Sequence, residues 1–513
     1  MTRKAQTTAA VLLVIAYTSL MAYGVYLRLP GLDPSSFWND DSWLAIAIRQ
    51  MSWGDFLRLR PPIPVGFRAI QAIASRVAAD PEWPLQLIPL AASILQALFA
   101  GLVASRICND RWVGLVAAAW ALVSPAWTEL GVRPKQYATD ALTTVVLFLL
   151  AMRMWQLPSR ARVVGFLASC VGALAVSFSA VFTVSSALGA TLLLPAARRA
   201  LLGRGERPAL LIALLACLAL VLFMKSQSGG SLYAYWSAKS AFMPTDSVTA
   251  SLGFLRRFVW NFAIGGFPEP LAFLVFGVGL GLLMATRSAI GRSALVLIGG
   301  IFAGLVVSSA LALYPLQSGR LSAFHRPLGP ILLAVGIHGC VRWLPRSARS
   351  SVFLVAAIAA LPFAEHSAYP SVQDADVVRA ANQQIRPTDT VITFMRSAHP
   401  LAYYTPGDHE MVREPRLGSG FIARLKRPRT FYLWLGPGDD LQALERIDAQ
   451  LAVALGSATD RIVLVPPLQT GRRGIRSRTS YIVSRILDSG YARSVEAGNE
   501  NPFVVVLERR ESL

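Results

Sequence analysis

Charged residues are scarce in this chain, and most of those present are basic. Only 15% of its 513 residues are charged, whereas 54% are hydrophobic and the mean hydropathy is +0.48. A soluble domain has about 25% charged residues, so this composition excludes an ordinary soluble protein. We predict an integral membrane protein, for which the bilayer is the solvent of most of the chain.

Acidic residues are the rarer of the charged groups. The chain has 29 Asp and Glu residues and 49 Lys and Arg residues, which gives a formal net charge of +20. Such a charge also occurs in nucleic-acid-binding proteins, but here the basic residues are mostly Arg in short gaps between long apolar runs. That placement is typical of membrane topology, and we predict no nucleic-acid partner.

Cysteine is also rare. The four cysteines lie in or beside apolar segments, and none lies in the hydrophilic C-terminal part; they are Cys108, Cys170, Cys217 and Cys340. This distribution implies neither a disulfide framework nor a CxxC metal site. No His-Cys cluster supports zinc either.

Apolar runs of nearly membrane-spanning length fill the first 365 residues or so. They lie at residues 8–28, 85–105, 112–127, 137–155, 163–178, 180–196, 208–224, 269–286, 293–313, 323–343 and 350–364. A membrane helix needs about 20 apolar residues, and a tilted or polar-lined helix needs fewer. We therefore predict an all-α polytopic domain with about 11 transmembrane helices. The run after MTRKAQ is long for a signal peptide and lacks a clear cleavage site, so we predict an uncleaved first span.

Arginine in the short loops predicts the orientation. With the N-terminus in the cytoplasm, every short cytoplasmic gap contains Arg, and Asp110 and Glu206 are the acids in those gaps. This fits the positive-inside rule, although the long loops of the opposite face also contain Arg. An odd number of spans then places the C-terminal part outside. We predict a multi-pass protein of the cytoplasmic (inner) membrane with a cytoplasmic N-terminus.

The hydrophobic pattern changes at about residue 366. DADVVRAANQQI has helical spacing, whereas TVITFM, RTFYLWLG, DRIVLVP and FVVVLER have the composition of buried strands. We predict two domains. Residues 1–365 form the transmembrane domain, whose first external loop covers residues 30–84, and residues 366–513 form an extracytoplasmic α/β domain.

The first external loop is much longer than a chain turn requires. Its segments WLAIAIRQM and PVGFRAIQAIASRV carry apolar residues at three- and four-residue spacing, which predicts amphipathic helices in the plane of the membrane surface. Asp40 and Asp41 lie at the start of the first of these helices. Taken alone, two carboxylates at a helix start are more often a cap and a favourable dipole contact than a catalytic pair.

The order of these elements resembles a known superfamily. A span, an acidic pair, an interfacial helix, a Pro-Pro turn and a second helix are similar to the GT-C polyprenyl-phosphate-sugar transferases, in the branch of protein O-mannosyltransferases and aminoarabinose transferases. ELGVRPKQYATDAL and ALALYPLQSGRLSAFHRPLGPILLAVGI resemble two further motifs of that group. YAYWSAKSAFMP and PTDTVITFMRSAHPLAYY resemble segments of some bacterial members.

The resemblance implies roles for the acidic pair. Asp40 matches the general base that acts on the acceptor hydroxyl, and a positioned carboxylate suits that task because an alcohol is a poor nucleophile. Asp41 stands where the family more often has Glu, with a supporting role toward acceptor or metal. Together the two could hold a divalent cation, Mg or Mn, which the sequence does not require. Many members have His before the Pro-Pro turn, whereas this chain has Arg60, a candidate phosphate contact.

Four further cations are candidates for the donor phosphate. Arg133 and Lys135 precede the fourth span, and Arg320 and Arg326 flank the start of the tenth, with His325 and Tyr137 in the same motifs. Arg pairs bidentately with phosphate oxygens. Taken singly, each cation is explained equally well by contact with lipid headgroups. Asp140 and Glu129 are better explained as partners of Arg133 or Lys135 than as catalytic acids.

Aromatic residues outside these motifs have open interpretations. Tyr233, Tyr235 and Trp236 are typical of an interfacial aromatic belt, with sugar stacking as the alternative. In the soluble domain, His399, Tyr403 and Tyr404 are either acceptor contacts or parts of a surface helix packed on a sheet.

The resemblance implies an inverting transferase that moves a sugar from a polyprenyl-phosphate carrier to an extracytoplasmic glycan, lipid or protein acceptor. Its partners would be that donor, the acceptor and membrane lipids. The alternative is a transporter or flippase of a lipid-linked sugar precursor, for which we expect inverted repeats that the sequence does not show. A scaffold that binds cell-wall polymers has no need of the long first loop.

Overall fold

The structure is a computed structural model that describes residues 3–32, 37, 39–78, 83–227, 233, 236–237, 239–264, 269–286, 289–317, 320–366, 374–405, 407, 409–414, 417, 419–427, 429–434, 441–465, 473–497 and 504–510. It divides into two compact units. The first consists of Met1–Leu32 and Ile63–Tyr369, and the second of Asp33–Pro62 and Pro370–Leu513.

In the described ranges the helices are, in chain order, α1 Arg3–Arg28, α2 Asn39–Arg49, α3 Trp53–Leu59, α4 Val65–Val77, α5 Trp83–Cys108, α6 Arg111–Val123, α7 Pro125–Leu130, α8 Tyr137–Gln156, α9 Arg160–Val176, α10 Ala180–Leu192, α11 Pro195–Leu201, α12 Arg207–Gln227, α13 Val248–Ile264, α14 Glu269–Ala285, α15 Ala289–Ala310, α16 Leu328–Val341, α17 Arg346–Ile358, α18 Asp374–Gln384, α19 Ala398–Tyr404, α20 Leu441–Gly456 and α21 Arg473–Asp488. Helices α2 and α3 and helices α18 to α21 belong to the second unit.

Each of the eleven predicted spans overlaps a helix of the first unit. Among the described residues, five helical stretches are long and apolar enough to cross a membrane: Ala10–Gly31, Trp83–Cys108, Tyr137–Gln156, Arg207–Ser226 and Ala289–Ala310. Helices α10 and α11 would form a sixth as one pair bent by 112°, and α6, Leu274–Leu283 and Ser347–Phe363 are shorter apolar helices. The number of spans stays a prediction.

Small residues allow close helix packing in the first unit. A Cβ atom added to Gly101 of α5 would lie 2.6 Å from the backbone oxygen of Gly114 in α6. Similarly, a Cβ atom on Gly279 of α14 would clash with the backbone oxygen of Leu332 in α16. Such backbone-to-backbone approach is typical of helices that associate in membranes, where dispersion contacts drive packing.

Helix α4 has the reverse polarity of a helix in water. Its residues Ile70, Ile73 and Val77 are exposed, whereas Arg68 and Gln71 are buried. Burial lowers the pKa of Arg68 to about 10. An exposed apolar face beside a buried polar one fits the predicted position at the membrane surface, since lipid tails would cover the apolar side chains.

The second unit is an α/β domain. Its five-stranded sheet has the order β4-β1-β5-β7-β6, with strands β1 Thr390–Phe394, β4 Thr430–Leu433, β5 Arg461–Leu464, β6 Tyr491–Ala497 and β7 Val504–Arg509. Strand β1 pairs in parallel with β4 and β5, and β7 pairs antiparallel with β5 and β6. A separate antiparallel hairpin consists of β2 His409–Arg413 and β3 Phe421–Leu425. The four predicted strands are present as β1, β4, β5 and β7.

Both faces of the sheet are covered because successive strand residues point to opposite sides. Ile392 and Leu464 pack in the cluster that contains residues of α20 and α21. Their neighbours Val391 and Val463 pack in a second cluster with residues of α18 and α19.

The domain boundaries differ from the sequence prediction in one respect. Residues 33–62 of the first external loop group with the C-terminal unit instead of the helical one. The physical reason is that α2 packs against α19 and α3 packs against β2. Contacts between residues that are far apart in the sequence therefore assign this loop to the α/β domain.

Candidate functional site

The acidic pair lies in the first turn of α2, as predicted. Asp41 is fully buried there, and the Ser42 hydroxyl donates a hydrogen bond of 3.1 Å to the backbone oxygen of Phe37. The backbone of Asp40 belongs to the same turn, while its side chain lies outside the described part of the structure. The positive end of the helix dipole favours carboxylates at this position.

Arg60 occupies the residue before the Pro-Pro turn and ends helix α3. It has a left-handed backbone conformation, with φ at 51°, and its N–H donates to the Phe56 oxygen at 2.9 Å. Its side chain is exposed, so the guanidinium is accessible to an anion.

At the other end of α3, the Ser52 hydroxyl accepts a hydrogen bond from the backbone N–H of Asp55 at 3.0 Å. The hydrogen bond from the Ser52 hydroxyl, together with the nearby Arg58 guanidinium, lowers the pKa of the Asp55 carboxyl. Asp55 therefore carries a structural ion pair in the same loop as the acidic pair.

A buried cationic turn connects α7 with α8 in the first unit. Arg133 is 1% exposed and Lys135 is 6% exposed, and the Lys135 N–H donates to the Arg133 backbone oxygen at 2.6 Å. Arg133 Nη1 lies 3.7 Å from Glu129 Oε1, a carboxylate that is 47% exposed. The pairing expected for Glu129 is therefore present.

Asp140 does not share that arrangement. It is buried in the first turn of α8, forms no ion pair within the described residues and lies next to the Ser177 hydroxyl. The sequence expectation that Asp140 pairs with Arg133 or Lys135 is therefore not met among the described residues.

The second cationic segment surrounds a short 3₁₀ turn, Leu321–His325. Arg320 and Arg326 flank this turn and are half-buried. His325 is 3% exposed and lies among aromatic rings, with ring centroids 5.3 Å from Phe258 and 5.7 Å from Phe302. These neighbours favour a packing role for the His325 ring.

The fold brings the two cationic segments together. Helix α8 packs against the 3₁₀ turn, and one apolar cluster contains Trp127, Tyr137, Ala138 and Ala323. Glu129, the partner of Arg133, also interacts electrostatically with Arg326. Residues 124–140 and 320–328 contain four basic residues and two acidic ones, so this end of the first unit is positively charged. Such a concentration of Arg and Lys suits a phosphate group.

A cavity of about 310 Å³ lies in the loop before α13. Tyr233, Ser237, Phe242 and Asp246 are among its lining residues. The rings of Tyr233 and Phe242 are 5.4 Å apart, and Lys239 Nζ lies 5.7 Å from the ring of Trp236. Tyr235 lies outside the described residues. Belt and sugar-stacking interpretations of these aromatics both remain predictions.

The aromatic residues of α19 belong to a helix that packs against strand β3 of the hairpin, in line with one of the two interpretations that the sequence offered; the acceptor contact stays a prediction. His399 Nε2 lies 3.2 Å from Ser419 Oγ, and its ring packs against Phe421 inside the α/β domain. Tyr403 and Tyr404 contact the segment of the first loop that includes α2. No sequence signal links these tyrosines to a helix about 360 residues earlier in the chain.

The part of the chain that the structure describes holds no cluster of three or more His, Cys, Asp or Glu side chains.

Comparison with known proteins identifies the fold. No family model matches the chain, and no curated protein matches it. The structure is similar to that of ArnT from Cupriavidus metallidurans bound to undecaprenyl phosphate, with a TM-score of 0.51, 14% sequence identity and 98% of each chain covered.

Two further solved structures are similar at lower scores. The apo state of the same ArnT has a TM-score of 0.43 at 14% identity, with 98% of each chain covered. An oligosaccharyltransferase from Archaeoglobus fulgidus, tethered with an acceptor peptide, has a TM-score of 0.49 at 13% identity, with 96% of this chain and 74% of that chain covered.

The chain thus has the polytopic membrane fold of the ArnT structure, with its helical part and its C-terminal α/β domain both included in the match. The fold class predicted from the sequence, a helical membrane part followed by a C-terminal α/β domain, agrees with this match.

Proposed function

We propose that this protein is an integral membrane glycosyltransferase that moves a sugar from a polyprenyl-phosphate carrier to an extracytoplasmic acceptor. The observation that carries the proposal is the fold match along 98% of the chain with ArnT, whose structure contains undecaprenyl phosphate. A phosphate-bearing donor is supported by the buried cations Arg133 and Lys135, which precede α8, and by Arg320 and Arg326, which flank the 3₁₀ turn that packs against α8. A glycan, a lipid and a protein remain the acceptor classes.

The proposed reaction is a single displacement with inversion. The acceptor oxygen forms a bond to the anomeric carbon as the bond from that carbon to the phosphate oxygen breaks. Asp40 takes the proton of the acceptor hydroxyl, and polyprenyl phosphate leaves with the bonding electron pair. Arg133, Lys135, Arg320 and Arg326 stabilise the charge that develops on the leaving phosphate, and exposed Arg60 is a further contact.

A divalent cation fits the donor set of this proposal without being required by it. Asp40 and Asp41 supply carboxylate oxygens, which Mg²⁺ or Mn²⁺ prefer, and Mg²⁺ commonly keeps several waters beside one or two carboxylates. When bound, the ion would supply positive charge at the acid pair.

The first test compares Asp40→Asn with Asp55→Asn. Both replacements remove one carboxylate from the same loop, but Asp55 forms a partly exposed ion pair with Arg58 at 2.7 Å. Purified proteins receive a panel of radiolabelled polyprenyl-phosphate sugars and membrane acceptors. Loss of a general base lowers the rate by roughly 10²- to 10⁴-fold, so we expect that loss for Asp40→Asn and nearly full activity for Asp55→Asn.

The outcomes separate the candidate functions. Equal transfer by the wild type and Asp40→Asn would leave Asp40 as a helix cap and refute the mechanism. No transfer by either protein, together with movement of labelled lipid across a vesicle bilayer, would favour the flippase.

A further inference from the structure

We propose that the C-terminal α/β domain positions helix α2, so that Tyr403 and Tyr404 are positioning residues for the acidic pair. This inference rests on the proposed function for its catalytic consequence, whereas the structural part stands on contacts within the second unit alone. It assigns a role to a domain whose sheet carries none of the candidate catalytic residues.

Helix α2 is buried far more completely than a surface helix. Its residues Leu44, Ala45, Ile46 and Ala47 have no exposed area, and Ile48 is 4% exposed. A helix lying on a membrane surface would keep one polar face in water. Within the second unit, α2 packs against α19.

The domain contacts the chain just before the acidic pair. The backbone N–H of Phe37 donates a hydrogen bond to Tyr404 Oη, and the Phe37 ring lies 5.7 Å from that of Tyr403. The Phe37 oxygen in turn accepts the Ser42 hydroxyl at 3.1 Å. Asp40 and Asp41 lie between Phe37 and Ser42, so the hydroxyl of Tyr404 anchors one end of the segment that carries them.

A second set of contacts holds the other end of α2. Arg49 Nη1 donates to Tyr403 Oη at 2.7 Å, and its guanidinium lies 5.8 Å from the centre of the same ring. Gln50, directly after α2, has its Oε1 atom 2.7 Å from Nε2 of His409, which lies on strand β2 of the hairpin. Both ends of the helix are therefore tied to the domain, which fixes its position along its own axis.

Tyr404 is itself held firmly by the domain. Its backbone oxygen accepts a hydrogen bond from Asn382 Nδ2 at 3.1 Å, and the Arg379 guanidinium lies 5.8 Å from its ring. Asn382 also accepts the Thr405 hydroxyl at 2.9 Å. Because the domain fixes the position of Tyr404, its hydroxyl can fix the position of α2. A mobile side chain would move together with the helix and could not do so.

Positioning matters because catalysis depends on geometry. A displacement of about 1 Å in a catalytic group can lower a rate about 10²-fold. We therefore expect removal of the Tyr404 hydroxyl to lower the turnover rate, although this group contacts neither sugar nor phosphate in the proposed reaction.

The test compares Tyr404→Phe with Tyr432→Phe in the full-length protein. Each replacement removes one hydroxyl that accepts a backbone N–H; Tyr432 Oη accepts the Leu425 N–H at 2.9 Å inside the α/β domain. Amide hydrogen exchange of residues 39–49 is measured with steady-state transfer kinetics and the thermal unfolding midpoint.

We expect Tyr404→Phe to raise exchange of the α2 amides roughly tenfold, the equivalent of about one hydrogen bond, with the midpoint nearly unchanged. Its kcat should fall roughly 10- to 100-fold at an unchanged donor KM. Tyr432→Phe should leave exchange in α2 and kcat at their wild-type values.

The outcomes distinguish the two proposals. Unchanged α2 exchange and unchanged kcat in Tyr404→Phe would overturn the positioning role. An equal fall in kcat for both variants would also overturn it, because the effect would then be general destabilisation of the domain. If the wild type transfers no sugar, the proposed function fails, and the exchange measurement still decides whether the domain holds α2.

Discussion

Replacement of Arg133 by Met tests whether the buried cationic turn binds the donor phosphate. Arg133 is 1% exposed, and its Nη1 atom lies 3.7 Å from Oε1 of Glu129, which is beyond ordinary hydrogen-bond distance. Because Glu129 is 47% exposed, water screens this pair, and the loss of the pair itself should cost less than about 1 kcal/mol.

A hydrogen bond to a charged phosphate contributes more. Such bonds are worth about 1.5–3 kcal/mol each, so loss of one in the transition state lowers kcat/KM roughly 10- to 150-fold. We expect this loss for Arg133→Met. Glu129→Gln removes a negative charge close to the bound phosphate, and we expect its donor KM to be equal to or lower than that of the wild type.

The assay is steady-state transfer over a range of donor concentrations. Arg106→Met is the matched control, since Arg106 is half-buried at the other end of the neighbouring helix α5 and bonds to Gln156 Oε1 at 3.3 Å. If Arg133 only pairs with Glu129, then Arg133→Met and Glu129→Gln will have equal and small effects. That result would refute the phosphate role of this turn.

Two further predictions concern stability. Gly101→Ala places a methyl group 2.6 Å from the Gly114 oxygen and should lower the free energy of unfolding by about 1–3 kcal/mol. Gly172→Ala should leave stability unchanged, because no heavy atom lies within 4 Å of the added methyl group. Thermal unfolding in detergent measures both variants, and equal midpoints would contradict the packing argument. Asp389→Ala removes one of the two acidic partners of the nearly buried Arg461 and leaves Glu508 at 3.4 Å, so we expect the α/β domain to lose about 1–3 kcal/mol of stability. Asp448→Ala removes the partner of the exposed Arg485 and of the Tyr481 hydroxyl, and it should cost less because water screens that pair. Denaturant unfolding followed by tryptophan fluorescence measures both, and similar losses in the two variants would contradict the second prediction.

The transferase and flippase proposals make different demands on the acidic pair. A base must meet the acceptor hydroxyl in a fixed geometry, so its helix has to be held in place. The contacts of α2 with Tyr403, Tyr404 and His409 provide such a hold. A transport path needs no fixed carboxylate at the membrane surface, and for this reason the anchoring of α2 favours the transferase.

Local patterns in the sequence predicted much of the fold. Apolar run length located eleven helices, because a segment of about 20 apolar residues has few stable conformations other than a membrane helix. Strand-like composition located β1, β4, β5 and β7, since buried strands are short and rich in branched apolar residues. The hairpin β2–β3 and strand β6 were missed, because their residues are polar or mixed and alternate weakly.

Composition, periodicity and capping act within a few turns of chain, and they were enough to predict the membrane class, the α/β domain and the position of Asp40 and Asp41 at a helix start. Three features required the folded structure: the grouping of residues 33–62 with the C-terminal unit, the pairing of Arg133 with Glu129 rather than Asp140, and the contacts of Tyr403 and Tyr404 with Arg49 and Phe37. These features depend on contacts between residues that are close in space and far apart in the chain. No local preference encodes them, because their energies arise only when the packed elements meet.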